Sequence, residues 1–200
     1  MLDERGLDEV TLAEIARASG FAKSNVYRYF ESREALLLEL LVEDQSGWVE
    51  ALERALAPLA GRGDPSTVGD AICDTLLEFP RLCELTAALA AVLEQNVGLE
   101  GIIAFKRRAV ALSIRMGNAL ATALPGFPIA NLPTLVRLLI AMVAGLWPMA
   151  HPSPLHAVAM NDPELAMLRT EFERDFRRAA IALLTGLCQT PKGASKAAPG

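Results

Sequence analysis

Aromatic residues make up only 6% of the 200-residue chain, and just three cysteines occur, at positions 73, 83 and 188. Three scattered thiols, with no CxxC pair and no histidine cluster beside them, exclude a disulfide scaffold and a zinc site, and suit a reducing cytoplasm. Long uninterrupted apolar runs are also scarce. The longest uncharged stretch, residues 138–161, is apolar only from Leu138 to Trp147 before Pro148, Pro152 and Pro154 follow. A spanning helix needs roughly 20 apolar residues, so a buried helix is expected there and no membrane partner. The opening residues MLDERGLDE are acidic, which argues against a secretory leader. No glycine-rich phosphate loop occurs, since GRGDPS lacks the following Lys-Ser/Thr, and no serine lies in GxSxG. His151 and His156 stand in a proline-rich stretch without nearby Cys or carboxylate ligands, so a solvent-exposed loop is expected rather than a metal site. No enzymatic activity and no cofactor are implied.

What is present is apolar and helix-forming. Residues of the AVILMFWYC class make up 52% and charged ones 22%, enough for a full core. The apolar share is mostly Leu and Ala, which have the best helix propensity, so an all-α fold is expected. The net charge of −5 argues against bulk attraction to nucleic acid, but charge acts within a Debye length of about 8 Å and does not exclude a local basic patch.

Residues 11–19 carry Leu12, Ile15 and Ala16 on one helical face, with Thr11 and Glu14 spaced as a capping box. Gly20 ends that helix, and a second begins near Ser24 with Val26 and Phe30 turned inward. Ser32 caps a third, long helix running to Pro58. Helix, tight turn and helix form a unit whose second member can enter the major groove of DNA. Lys23, Ser24, Asn25 and Arg28 point outward, and Asn and Arg are side chains that read base edges bidentately. Between Arg17 and Arg33, four basic residues (Arg17, Lys23, Arg28, Arg33) face Glu31 alone, which places positive charge where DNA would lie.

The segment VTLAEIARASGFAKSNVYRYFESREALLLELL, residues 10–41, resembles the TetR/AcrR family of bacterial regulators. The resemblance implies a helix-turn-helix DNA-binding head at residues 1–45, incomplete at its N-terminus. It implies a helical ligand-binding and dimerisation domain at 46–190, and a flexible tail follows at 191–200. Carried over by position, Lys23, Ser24, Asn25 and Arg28 would contact bases or nearby backbone. Thr11, Tyr27, Tyr29 and Arg33 would contact phosphates. The family's first helix is nearly missing, because only Met1 to Arg5 precede Gly6, and a true start upstream is expected. VLEQNV and FKRR, within residues 92–108, are similar to one subgroup's C-terminal domain.

Further helices are expected at 67–79, 81–94, 99–124, 133–147 and 163–187. The last carries a seam of Leu165, Leu168, Phe172, Phe176, Ala179, Leu183 and Leu187. The resemblance implies a homodimer through the last two long helices, with Leu138, Met142, Leu146, Leu168, Phe172, Phe176 and Leu183 at the contact. The alternative is that the seam is intramolecular core. Glu94, Gln95 and Asn96 are costly to bury unpaired, and with Phe105, Met116 and Trp147 they are the candidates for an effector pocket, ordinary core being the rival reading. The function implied is a transcription regulator, a repressor released from a palindromic operator on double-stranded DNA by a small apolar effector. The alternative is a helical binding or interaction module whose truncated head no longer binds DNA.

Overall fold

The computed structural model describes residues 32–89 and 97–189, and among these there is no strand. The long first helix, α1, is Arg33–Leu56. Ser32 is extended at φ −150°, and its Oγ accepts from the Ala35 N–H at 3.0 Å, as its cap role requires. Leu36, Leu37, Leu41, Leu52 and Leu56 form its buried face. Pro58 then sits in a single 3-10 turn, Ala57–Leu59. Gly61, at φ 70°, and Gly63 donate their N–H groups to the Thr122 and Ala123 carbonyls at 2.8 and 2.9 Å. A Cβ at Gly63 would lie 2.6 Å from the Ala123 oxygen, so only glycine permits this backbone approach.

The segment GRGDPS is helical from Pro65 onward. Asp64 and Thr67 form a reciprocal cap, and Pro65 opens α2, Pro65–Leu77, at the position where its missing N–H costs nothing. Pro80 opens α3, Pro80–Ala88, in the same way. Two long helices follow: α4 is Leu99–Ala123 and α5 is Leu132–Ala150. A short helix, α6, is Pro154–Ala159, and α7 is Phe172–Gln189.

The core is one continuous cluster. Helix α1 packs on α4, α2 on α7, and α5 on α3 and α7. Ion pairs cross the α1–α4 and α2–α7 seams, and also join α3 to α1. Arg81 of α3 forks onto Asp44 of α1 at 2.6 and 2.7 Å, while Arg108 and Arg115 of α4 reach Glu39 and Glu53 of α1. Arg177 of α7 gathers Asp70 and Asp74 of α2 together with Glu173, which holds its proton more firmly than an ordinary arginine does.

Three expectations are corrected. The continuous helix 163–187 is broken: Pro163–Leu168 is a 3-10 segment, and α7 starts only at Phe172. Asp162 accepts from the Glu164 N–H, and Asp175 accepts from the Glu171 N–H, so two local carboxylate caps separate the pieces. Pro148 does not end α5, because in the last turn its missing N–H removes one ladder bond while His151 N–H still reaches the Trp147 carbonyl. The stretch Ile129–Ala150 is therefore long and apolar enough to cross a membrane, by length and composition. Finally, the proline-rich stretch expected as a loop holds α6, with His156 on it, while His151 stacks on Trp147 at 4.0 Å.

Candidate ligand cavity and subunit face

A cavity of about 370 Å³ lies where α1, α2, α3, α4, α5 and α7 converge. That size falls within the range of small-molecule sites. Its floor is apolar: Val49 of α1, Leu76 of α2, Leu82 of α3, Met116 of α4, Leu139 and Val143 of α5, and Phe176 of α7 are all buried. Its mouth lies between α4 and α5, which touch each other little, and is rimmed by the exposed residues Lys106, Val110, Arg137 and Ile140. Among the described residues, no carboxylate lines it.

Helix α1 contributes the polar wall. The Trp48 indole N–H donates to Thr75 Oγ at 3.2 Å, and that hydroxyl donates to the Ala71 carbonyl at 2.7 Å, which fixes the indole against the cavity. One turn earlier on the same face is Gln45, whose Oε1 is buried and has no hydrogen-bond partner among the described residues. A buried amide oxygen without a partner is costly, roughly 1–3 kcal/mol, and marks a place where a polar ligand group would be stabilised.

Of the residues expected at an effector pocket, Met116 lines the cavity. Phe105 does not: its ring is buried beneath the Lys106 ammonium, 5.1 Å from the centroid. Trp147 faces elsewhere, edge-on to Phe172 at 4.9 Å and against His151. Glu94, Gln95 and Asn96 lie outside the described residues. Gln45, Trp48 and Arg137 were not anticipated. A readable signal existed for Gln45, which interrupts the apolar file Leu41, Gln45, Val49 at four-residue spacing.

The expected subunit contact divides in two. Phe172 and Phe176 are core residues, 6% and 1% exposed, with their rings stacked at 5.3 Å inside one chain. The buried stripe of α7 is Phe172, Phe176, Ala180 and Leu184, because pairing with α2 and α5 turns that face inward. Leu183 and the α5 residues Met142 and Leu146 are half-buried, and Leu138 is 42% exposed. Leu168 is exposed in the 3-10 segment, off the axis of α7. Helix α5 thus keeps an apolar outer face of Leu138, Ala141, Gly145 and Met149, spaced for one side of a helix. Of its most apolar 18-residue stretch only 17% is buried within the chain. A Cβ at Gly145 of α5 would meet nothing within 4 Å among the described residues, so packing against them does not account for this glycine.

The three thiols serve packing. Burial pushes Cys73 up to about 11 and Cys83 up to about 12, and raises Cys188, so none is a ready thiolate. Of the expected DNA contacts, Thr11, Lys23, Ser24, Asn25, Tyr27, Arg28 and Tyr29 lie outside the described residues. Arg33 opens α1, and its guanidinium pairs with Glu34 at 2.9 Å, at the junction between head and lever.

Comparison with known families gives two matches that meet within α1, at residue 41. Residues 1–40 match the description "Bacterial regulatory proteins, tetR family". Residues 42–191 match "Tetracyclin repressor-like, C-terminal domain". No individual curated protein matches the chain. With the helical region that holds the cavity matched as a whole, and the preceding residues matched to its DNA-binding partner, the chain belongs to the tetR family of bacterial regulatory proteins and is a transcriptional regulator.

Proposed function

We propose that this regulator is a cytoplasmic homodimeric repressor whose grip on a palindromic operator is released when a small, largely apolar effector fills the cavity among α1, α4 and α5. The observation that carries this reading is the double duty of α1. The helix begins at Arg33, inside the region matched as DNA-binding, and the same helix walls the cavity with Gln45, Trp48 and Val49. The division between head and ligand domain near residue 45 therefore falls within one rigid rod. A ligand that binds one tilt of α1 better than another shifts the separation of the two heads relative to successive major grooves.

Lys23, Ser24, Asn25 and Arg28 are assigned to the bases and adjoining backbone, and Thr11, Tyr27, Tyr29 and Arg33 to phosphates. Homodimerisation uses the outer face of α5 with the half-buried edge of α7 around Leu183, while the phenylalanines stay in the core. A two-fold face of this kind covers the exposed apolar stripe of α5 without a membrane. Gly145 lets the paired helices approach closely.

The test mimics the ligand covalently. Ala109 of α4 faces the cavity. Ala109→Trp should fill it and lower operator affinity at least tenfold with no effector added, read by fluorescence anisotropy on the protein's own upstream DNA. A filled cavity with unchanged operator affinity would overturn the reading.

A further inference from the structure

Resting on the effector reading of the same cavity, we propose that its ligand is an amphipathic anion: an apolar chain with a carboxylate at one end and a hydroxyl remote from that charge. Three features of the cavity assign the three parts. The floor, formed by Leu76, Leu82, Met116, Leu139 and Val143, offers an apolar body nothing but hydrocarbon and a thioether.

The mouth is cationic. Arg137 and Lys106 rim it from facing helices, and among the described residues none that lines it carries negative charge. Arg137 makes no ion pair among the described residues; its one hydrogen bond runs to Thr134 Oγ on its own helix at 3.2 Å. Arg108 and Arg115 on neighbouring α4 are, by contrast, held by Glu39 and Glu53. A guanidinium forks onto a carboxylate in two parallel hydrogen bonds, which selects a planar anion over a neutral or cationic end. Because these cations are exposed, the charged end stays partly in water and escapes the full cost of desolvation.

The interior supplies the third part. Gln45 stands on α1, a helix to which neither Arg137 nor Lys106 belongs, with its Oε1 buried and without a partner among the described residues. A hydroxyl both donates and accepts, so it satisfies that amide, whereas a plain methyl end leaves it uncompensated.

The experiment is calorimetric titration of the full chain with four probes of one tail length: decanoate, 10-hydroxydecanoate, decan-1-ol and decyltrimethylammonium. Decanoate should bind at least tenfold tighter than decan-1-ol, with decyltrimethylammonium weakest. 10-Hydroxydecanoate should bind tighter than decanoate. Arg137→Gln, at an exposed position, should remove the advantage of decanoate over decan-1-ol while leaving decan-1-ol affinity unchanged. Gln45→Leu should remove the preference for the hydroxylated acid. Equal binding of decanoate and decan-1-ol, indifference to Arg137→Gln, or binding of none of the four probes overturns the proposal. Decanoate or its hydroxy acid binding in this order without weakening operator binding leaves the ligand class standing and removes the effector role instead.

Discussion

Replacing Phe176 with Ala separates core from subunit face more sharply than any other single change. The ring is 1% exposed, stacked on Phe172, and forms part of the cavity floor. Phe→Ala in a core costs about 3–5 kcal/mol, the sum of lost transfer energy and the space left behind. Here the new space merges with an existing cavity, so little can collapse around it, but the apolar floor it shares was already only partly packed. The lower end of the range, about 3 kcal/mol, is the expected loss. Leu138→Glu is the complementary change. At 42% exposure it should alter the stability of an isolated chain by no more than about 0.5 kcal/mol. By two-fold symmetry, however, it places two carboxylates in the proposed contact. Urea unfolding followed by far-ultraviolet circular dichroism at several protein concentrations, paired with sedimentation velocity, distinguishes them. Phe176→Ala should remain dimeric and unfold at lower urea; Leu138→Glu should sediment as a monomer. A Phe176→Ala protein that keeps its unfolding midpoint and sediments as a monomer would refute the assignment of this ring to the core.

Operator affinity should fall with rising salt at a slope of about −0.9 per phosphate contact, and Tyr27→Phe should weaken specific and scrambled duplexes alike. Asn25→Ala should instead reduce the ratio between the two, and an equal loss on both duplexes would reject its reading role. Stability should also fall above pH 9. The folded chain keeps the Cys73 and Cys83 protons to about 11 and about 12, while unfolded thiols release theirs near 9.0. Between those values the unfolded state binds fewer protons, so unfolding is favoured as pH rises. Melting curves from pH 7 to 10.5 should show a shallower decline for Cys83→Ala than for the unaltered chain, and identical slopes would show that the thiol does not contribute.

The parts of this fold that were legible are those decided locally. Ser32 before an apolar-periodic run specifies where α1 starts, and the Leu positions of α1 specify which face is buried. Where the reading failed, periodicity and capping disagreed. Leu165 and Leu168 continue the spacing of Phe172 and Phe176, yet the carboxylates of Asp162 and Asp175 satisfy the backbone donors that begin two separate segments. Spacing reports only which residues could share a face. Similarly, Phe172 and Phe176 satisfy the pattern of an interface as well as that of a core, and what decides is the partner: Gly69 of α2 allows α7 so close that its Cβ would lie 2.5 Å from Ile181 Cγ1. That contact is between residues distant in the chain and is invisible to any local window. The cavity was illegible for the same reason, since it is a gap among six helices, although Gln45 on an apolar file was a visible irregularity.

The arrangement of contacts also says how a ligand in this cavity could act at a distance. Glu39 and Glu53 receive Arg108 and Arg115 at points about 21 Å apart along α1, at 1.5 Å per residue. Each such pair, being largely exposed, is weak alone. The two lie, however, on a continuous apolar contact between α1 and α4, so these helices constitute one body. Helix α5 packs on α3 and α7, of which α3 is itself tied to α1 by the Arg81–Asp44 pair, and carries the outer apolar face. Between these bodies, α4 and α5 touch little, and that is where the cavity opens. On the proposed function, a ligand seated there would wedge α1 against the proposed subunit face. Arg33 lies about 18 Å along α1 from Gln45, so a tilt of about 10° carries the head by about 3 Å, and the two-fold axis doubles it to about 6 Å. Against a half-site spacing of about 34 Å, such a displacement would prevent both heads from seating in successive grooves together, as the proposed function requires. Ala109→Trp is decisive for this reason: it drives the same wedge from α4 while leaving every DNA contact and the whole outer face of α5 intact.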